Sequence, residues 1–263
     1  RHVILSPSSV SCETEAMTVA ARVDPKAFFT SEEWTPLTVR SNWKGLALVA
    51  HAWAVIFAAA AVGVIWPITI PFMVAIIGAR QLGLSILMHD AAHGALHPNM
   101  KVNDWVGDNL TSGGLARYRN YHLQHHKFAQ QAEDPDLVLS APFPITKSSF
   151  RRKMIRDITG QTGYQQRKAQ ILNALGRPEW PLERRLQNFW TKLGRATVCQ
   201  VVIFAILAIS GHWYLYFALW LLPFLTWQQA ITRIRNIAEH AMVPDSNDDF
   251  RNARTTKANI FER

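Results

Sequence analysis

Residues 46–65 read LALVAHAWAVIFAAAAVGVI, and after Trp66 residues 67–88 read PITIPFMVAIIGARQLGLSILM and run straight into HDAAHGALH at 89–97. The first run holds His51 as its one notable polar side chain and is long enough to span a hydrocarbon core of about 30 Å. The Trp66-Pro67 link is so short that the two runs form an antiparallel hairpin. A buried hairpin in a soluble protein rarely needs two such long runs in succession. A third run, 193–210, and a fourth, 213–231, joined by Gly211-His212, form a second hairpin. The third is marginal in length and reads as tilted or partly interfacial. The expected fold is therefore all-α and integral to the membrane. Four spans form two hairpins, with a cytosolic loop at 101–192 and a cytosolic helical cap that carries the histidine boxes. Residues 1–44 form a lead-in and 45–263 the membrane domain.

Composition agrees, since 49% of the residues are hydrophobic and ten Trp and thirteen Phe accompany the apolar runs. Cys12 and Cys199 lie in very different settings and imply no disulfide framework. There is neither a repeat of tens of residues nor a low-complexity tract. Residues 1–16 resemble neither a signal peptide nor a helix, and Met17 is a candidate natural start. Thr35-Pro36 and Ser41-Asn42 suggest a polar lead-in near a membrane surface.

Charge orients this arrangement. Of the 28 Lys and Arg, sixteen fall in residues 101–195, five in 1–44, six in 233–263 and one at Arg80. Neither hairpin turn carries any, so both termini and the central loop are expected in the cytoplasm. Arg151-Arg152-Lys153 and Arg184-Arg185 suit anionic lipid headgroups. In a chain with four spans, the basic balance reads as a membrane and partner-docking signature, and no nucleic-acid partner is expected.

His89 and His93 stand four residues apart and share a helix face. YHLQHH at 121–126 repeats the spacing with His122 and His126, and His125 lies on nearly the same face. Neutral imidazole suits iron, copper, nickel and zinc, and five imidazoles exceed what one four-coordinate zinc can use. The pattern points to two metals. His97, beside Pro98, is expected at the helix end or behind a ligand rather than on the metal.

Depth links a third segment to these two. A helix rises about 1.5 Å per residue, so one starting near Pro67 has climbed roughly 32 Å by Met88. His89 and His93 thus emerge just past the cytoplasmic boundary. A fourth helix begun at Trp213 reaches that level near Arg233 and then presents Asn236 and His240, four residues apart. Arg80 and Gln81 in the second span and Gln228 and Gln229 in the fourth lie at similar depth. An intramembrane arginine is costly without a partner, so these spans are expected to pack together there.

HDAAHGAL, YHLQHH followed by DPD, and NxxxH after the fourth span resemble the membrane fatty acid desaturase and hydroxylase superfamily. The likeness covers roughly residues 82–263, and several boxes spaced across two membrane hairpins make it specific. It implies a di-iron centre at the cytosolic face, held by His89, His93, His122, His125, His126 and His240, with Asn236 reaching a metal through water. Asp90, Asp134 and Asp136 would orient imidazoles and raise their basicity. It further implies O2 as co-substrate, oxidation of an unactivated C–H bond of a fatty acyl lipid, and electrons from a ferredoxin or a cytochrome b5-like donor. The basic loop would suit an acidic donor.

The family carries a third box, HxxHH, soon after a segment like RTTKANIFER, and no histidine follows His240 here. The expectation is a fragment that inserts in the membrane without turning over, with the third box encoded beyond Arg263. Within the superfamily, a carotenoid ketolase or hydroxylase, or a lipid hydroxylase, is the alternative. A membrane zinc hydrolase would need Glu where Asp90 stands in HExxH and leaves YHLQHH unexplained. A non-enzymatic haem or metal carrier would need histidines facing one another across a bundle, not gathered at one face.

The orientation is testable by cysteine labelling from outside intact cells. Probes at Trp66 or Gly211 should react and probes in the central loop should not. Strong external labelling of the loop would overturn the topology.

Overall fold

The computed structural model describes residues 24–111, 113–140, 142–246, 248, 251–255 and 257, all helix, turn or irregular, with no strand among them. The readings on Cys12 and Met17, and most of the segment RTTKANIFER, lie outside the described residues. A short lead-in helix, α1 (Ser31–Thr38), is capped by Thr30, whose hydroxyl accepts from the Glu33 N–H while the Glu33 carboxylate accepts from the Thr30 N–H.

The first hairpin pairs α2 (Lys44–Ile65) with α3 (Ile70–Ala92) across a single 3-10 turn, Pro67–Thr69. Along α2 the buried residues are Val49, Ala52, Ile56, Ala59 and Gly63, alternating by three and four. That stripe packs on Ile77, Leu84, Leu87 and Ala91 of α3. Small residues at such a seam let two backbones approach closely, which substitutes for a hydrophobic drive where the surroundings are apolar too. The outer faces expose Leu48, Phe57, Phe72 and Ile76, as acyl chains around a span require.

Past α3 the chain folds tightly into α4 (Met100–Val106), a π-helical turn (Gly107–Thr111) and α5 (Leu115–Lys127). Asn99 caps α4 by accepting from the Lys101 and Val102 N–H groups. Gly107 is required here, because a Cβ would sit 2.8 Å from Ala91 Cβ and from Leu115 Cδ2. Four further helices follow: α6 (Leu137–Ser140), α7 (Lys147–Ile158), α8 (Gln161–Leu175) and α9 (Leu182–Ile209).

Two expected spans differ from the sequence reading. The third does not start at residue 193. It is a helix of 28 residues from Leu182, whose first turns carry Arg184, Arg185 and Lys192. Hydropathy registers only the apolar half, whereas the helix propensity of Leu, Glu, Arg and Gln continues through the charged half. The fourth is not one helix. Residues 213–231 divide into a π-helical segment (Tyr216–Leu221), α10 (Leu222–Leu225) and the start of α11 (Trp227–His240). Pro223 lacks an N–H, and the backbone turns aside at Thr226 (φ −116°, ψ −87°). The Thr226 hydroxyl then donates to Leu222 O at 2.6 Å. Among the described residues, three helices are long and apolar enough to cross a membrane: Lys44–Ile65, Pro67–Ala92 and Leu182–Ile209.

The broken segment still packs on α3 at the level of its polar residues, although the partners are not those expected. Gln81 is buried and donates to Trp220 O at 2.8 Å, a carbonyl within the π-helical segment. Gln228 lies one turn further along α3, with Nε2 3.4 Å from Ser85 Oγ. Gln229 turns back to Phe224 O. Trp53 of α2 stacks on Trp220 with ring centroids 5.5 Å apart, which closes the other side of the contact.

Gly78 is the point of closest approach, since a Cβ there would lie 3.0 Å from Trp227 Cβ and 3.1 Å from the Gln228 nitrogen. Gly78→Leu should cost about 1–3 kcal/mol by overpacking. Gly83→Leu, where a Cβ would meet open space, should be neutral or slightly stabilising. Thermal unfolding in detergent, followed by circular dichroism, separates them. Equal midpoints for the two variants would refute the packing of α11 on α3.

Candidate metal centre

α3 continues past its apolar length, so His89 occupies its last turn and His93 its C-cap. α5 packs on α3 with His122, His125 and His126 in its own last turns. Ring centroids lie 4.4 Å apart for His89 and His122, 4.4 Å for His122 and His126, and 4.9 Å for both His89–His93 and His93–His126. One ring nitrogen from each of these four lies within 4.8 Å of every other. His126 is exposed, so the group opens to its surroundings on that side.

The contacts inside this group suit a cation better than hydrogen bonds. His122 Nε2 lies 2.9 Å from His93 Nε2 and 2.8 Å from His126 Nε2. An imidazole nitrogen carries one proton or one lone pair, so ordinary hydrogen bonding serves at most one of the two contacts well. Burial, followed by the nearby rings of His89, His126, His93 and His125, pushes His122 down to about 3. It is therefore neutral at physiological pH, the form that ligates a metal.

His125 and His240 form a second pair, with centroids 5.0 Å apart. His125 Nδ1 donates to Asp134 Oδ1 at 2.8 Å, leaving Nε2 with its lone pair. Asp134 is buried and does two jobs. Its carboxylate also accepts from the N–H groups of Gln130 and Asp136, so it holds the turn that keeps it in place. Asp136 lies 3.8 Å from His125 Nδ1 and accepts from the Tyr121 hydroxyl at 2.5 Å. His240 Nδ1 is buried with no hydrogen-bond partner among the described residues. An orphaned buried nitrogen is costly unless something fills its lone pair. Burial, and then His125, lower the His240 pKa as well.

The remaining expected residues divide. Asp90 Oδ1 accepts from His89 Nδ1 at 3.1 Å, which points the other ring nitrogen inward. His97 is not in the four-histidine group, and its Nδ1 accepts from the Asn99 N–H at 3.0 Å. Asn236, one turn before His240, lines a small cavity with Leu139, Thr162, Gln166, Gln229, Thr232 and Arg233.

Several side chains around the site were not singled out by the sequence. Tyr118 lies flat against His122, with centroids 5.3 Å apart and planes at 6°, and its hydroxyl is pushed up to about 12, mainly by burial. Arg233 of α11 forms a two-point ion pair with the fully buried Asp157 of α7, one turn before Asn236. Arg119 of α5 binds Asp104 and the end of α3. The available signal for Arg119 and Arg233 was periodicity, since each lies three residues before a site residue and shares its face.

Protonation gives a direct check on this burial. An unfolded chain protonates its imidazoles near pH 6.5, whereas folded His122 resists to about pH 3. Between those values the unfolded state binds more protons, so stability is lost as pH falls through this window and is fully present above it. The thermal midpoint of metal-free protein should therefore drop steadily from pH 6.5 toward 4, and His122→Gln should flatten that slope. A flat wild-type profile would contradict the burial of His122.

The fatty acid desaturase family model matches residues 65–263. No match is found among curated proteins or among solved structures. The matched segment is well over half of the chain and contains all six clustered histidines. The chain belongs to the fatty acid desaturase family.

Proposed function

We propose that this protein is an O2-dependent oxidoreductase that desaturates fatty acyl chains in the membrane, with iron held by histidine. The observation that carries this reading is the meeting of His89, His93, His122 and His126 from two separate helices, with ring nitrogens mutually within 4.8 Å. On this reading those four side chains hold one ion. His125 and His240 contribute to a second, with Asn236 assisting through water. When bound, a pair of irons supplies the O2-dependent oxidation of an unactivated C–H bond, which no protein side chain performs unaided.

The chain's own residues bind and orient. Asp90 and Asp134 fix which nitrogen of His89 and of His125 carries its proton, and so which one faces inward. The apolar faces of α2, α3 and α9 keep an acyl substrate within the bilayer. The broken segment before α11 crosses as a fourth span, its irregular backbone buried against α3, where such backbone is tolerated. The histidines then lie at the cytoplasmic face. The cationic central loop receives an acidic electron donor of the ferredoxin or cytochrome b5 type.

Elemental analysis of the purified protein should find iron at about one equivalent or more per chain. His122→Ala should reduce it by about tenfold or more, as expected on losing the most central ligand. Lipid analysis of cells expressing the full-length gene should show added acyl double bonds. Added hydroxyl groups instead would assign a hydroxylase of the same family. Zinc without iron would remove the oxidative reading altogether.

A further inference from the structure

We propose that Arg119 is a positioning residue of the metal centre, which with Asp104 and Asn103 sets the spacing between the histidines of α3 and those of α5. This rests on the metal-binding reading above. Arg119, His122 and His126 stand three and seven residues apart along α5 and so share one face. Arg119 Nε donates to Ala92 O at 3.0 Å, and Nη2 donates to Ala91 O at 3.0 Å. Ala91 and Ala92 are two of the three residues between His89 and His93. The α5 stripe that carries two histidines therefore grips the backbone between the two histidines of α3.

The guanidinium is itself held from the far side. Both Asp104 carboxylate oxygens accept from it, Oδ2 at 3.2 Å and Oδ1 at 2.5 Å. Asn103, fully buried, donates to Ala91 O at 2.9 Å and to Asp104 Oδ1 at 2.8 Å, and accepts from the Leu96 N–H at 3.1 Å. These bonds close a ring through the end of α3, the loop after it, α4 and α5. The ring cannot rotate or slide α5 without breaking bonds to the segment that carries His89 and His93. A planar fork that reaches two carbonyls and a carboxylate at once is specific to arginine. A lysine keeps the charge and loses that geometry.

Cobalt(II) titration of the metal-free full chain in detergent, read by visible absorption, tests this without relying on turnover. Arg119→Lys should weaken cobalt binding by about 10–100-fold, the usual effect of losing a group that orients ligands, and should shift the absorption bands of what remains bound. Asp104→Asn should move both in the same direction and decides the matter if Arg119→Lys does not accumulate. Arg117→Lys, on an exposed position of α5, should change neither. Wild-type affinity and unshifted bands in the Arg119 and Asp104 variants, even with lowered thermal midpoints, would show a purely structural role and overturn the proposal. Absence of cobalt binding by the wild type would instead overturn the metal reading, and this proposal with it.

Discussion

α3 stops at Ala92, and the carbonyls of its last turn reach beyond the helix with too few backbone donors to satisfy them. How they are satisfied shapes everything around the site. Ala91 O accepts from the Gly94 N–H, from Asn103 and from Arg119, and Ala92 O accepts from Arg119. A cation at a helix C-terminus is favourable in its own right. Here the same cation also ties down α5, so an electrostatic requirement of one helix fixes the placement of another. Gly107 allows the close approach that this demands, by leaving room beside Ala91 and Leu115.

The site repeats this logic at its other edge. Arg233 pairs with buried Asp157 and so holds α11 against α7, with Asn236 and His240 further along the same helix. Breaking a buried pair of this kind typically costs about 3–5 kcal/mol, because the remaining charge is left without compensation. The histidines themselves add little rigidity, since His122 Nε2 faces two other ring nitrogens and can hydrogen-bond well to at most one of them. Charged groups at the margin hold them together, and a metal would relieve the centre. This division of labour explains why cationic side chains stand at the margin of a cluster whose central member, His122, is kept neutral by burial.

The broken backbone between Tyr216 and Trp227, packed against α3, imposes the other constraint. Backbone polar groups inside an apolar layer need internal partners, so a broken helix survives only where protein supplies them. Gln81 donates to Trp220 O and the Thr226 hydroxyl to Leu222 O, which accounts for carbonyls near the break. Gln81 of α3 thus serves a backbone carbonyl, while Ser85 one turn on meets the opposing Gln228 side chain.

The sequence by itself determined the all-helical class, the first hairpin, and the identity of the histidines that meet. Periodicity and length are local properties, and an i, i+4 histidine pair on a helix has only one face to occupy. It also placed His240 near the other boxes, although by a depth count along an unbroken fourth helix that the structure breaks at Thr226. Only the tertiary structure decided where the fourth apolar run breaks, since Pro223 and Thr226 depend on neighbours that accept their irregular backbone. It likewise separated Arg119 and Arg233 from the other cations of the chain, which composition treats as one basic surface. A charge count is blind to partners, and the carbonyls of Ala91 and Ala92 and the carboxylate of Asp157 become partners only after the helices have packed.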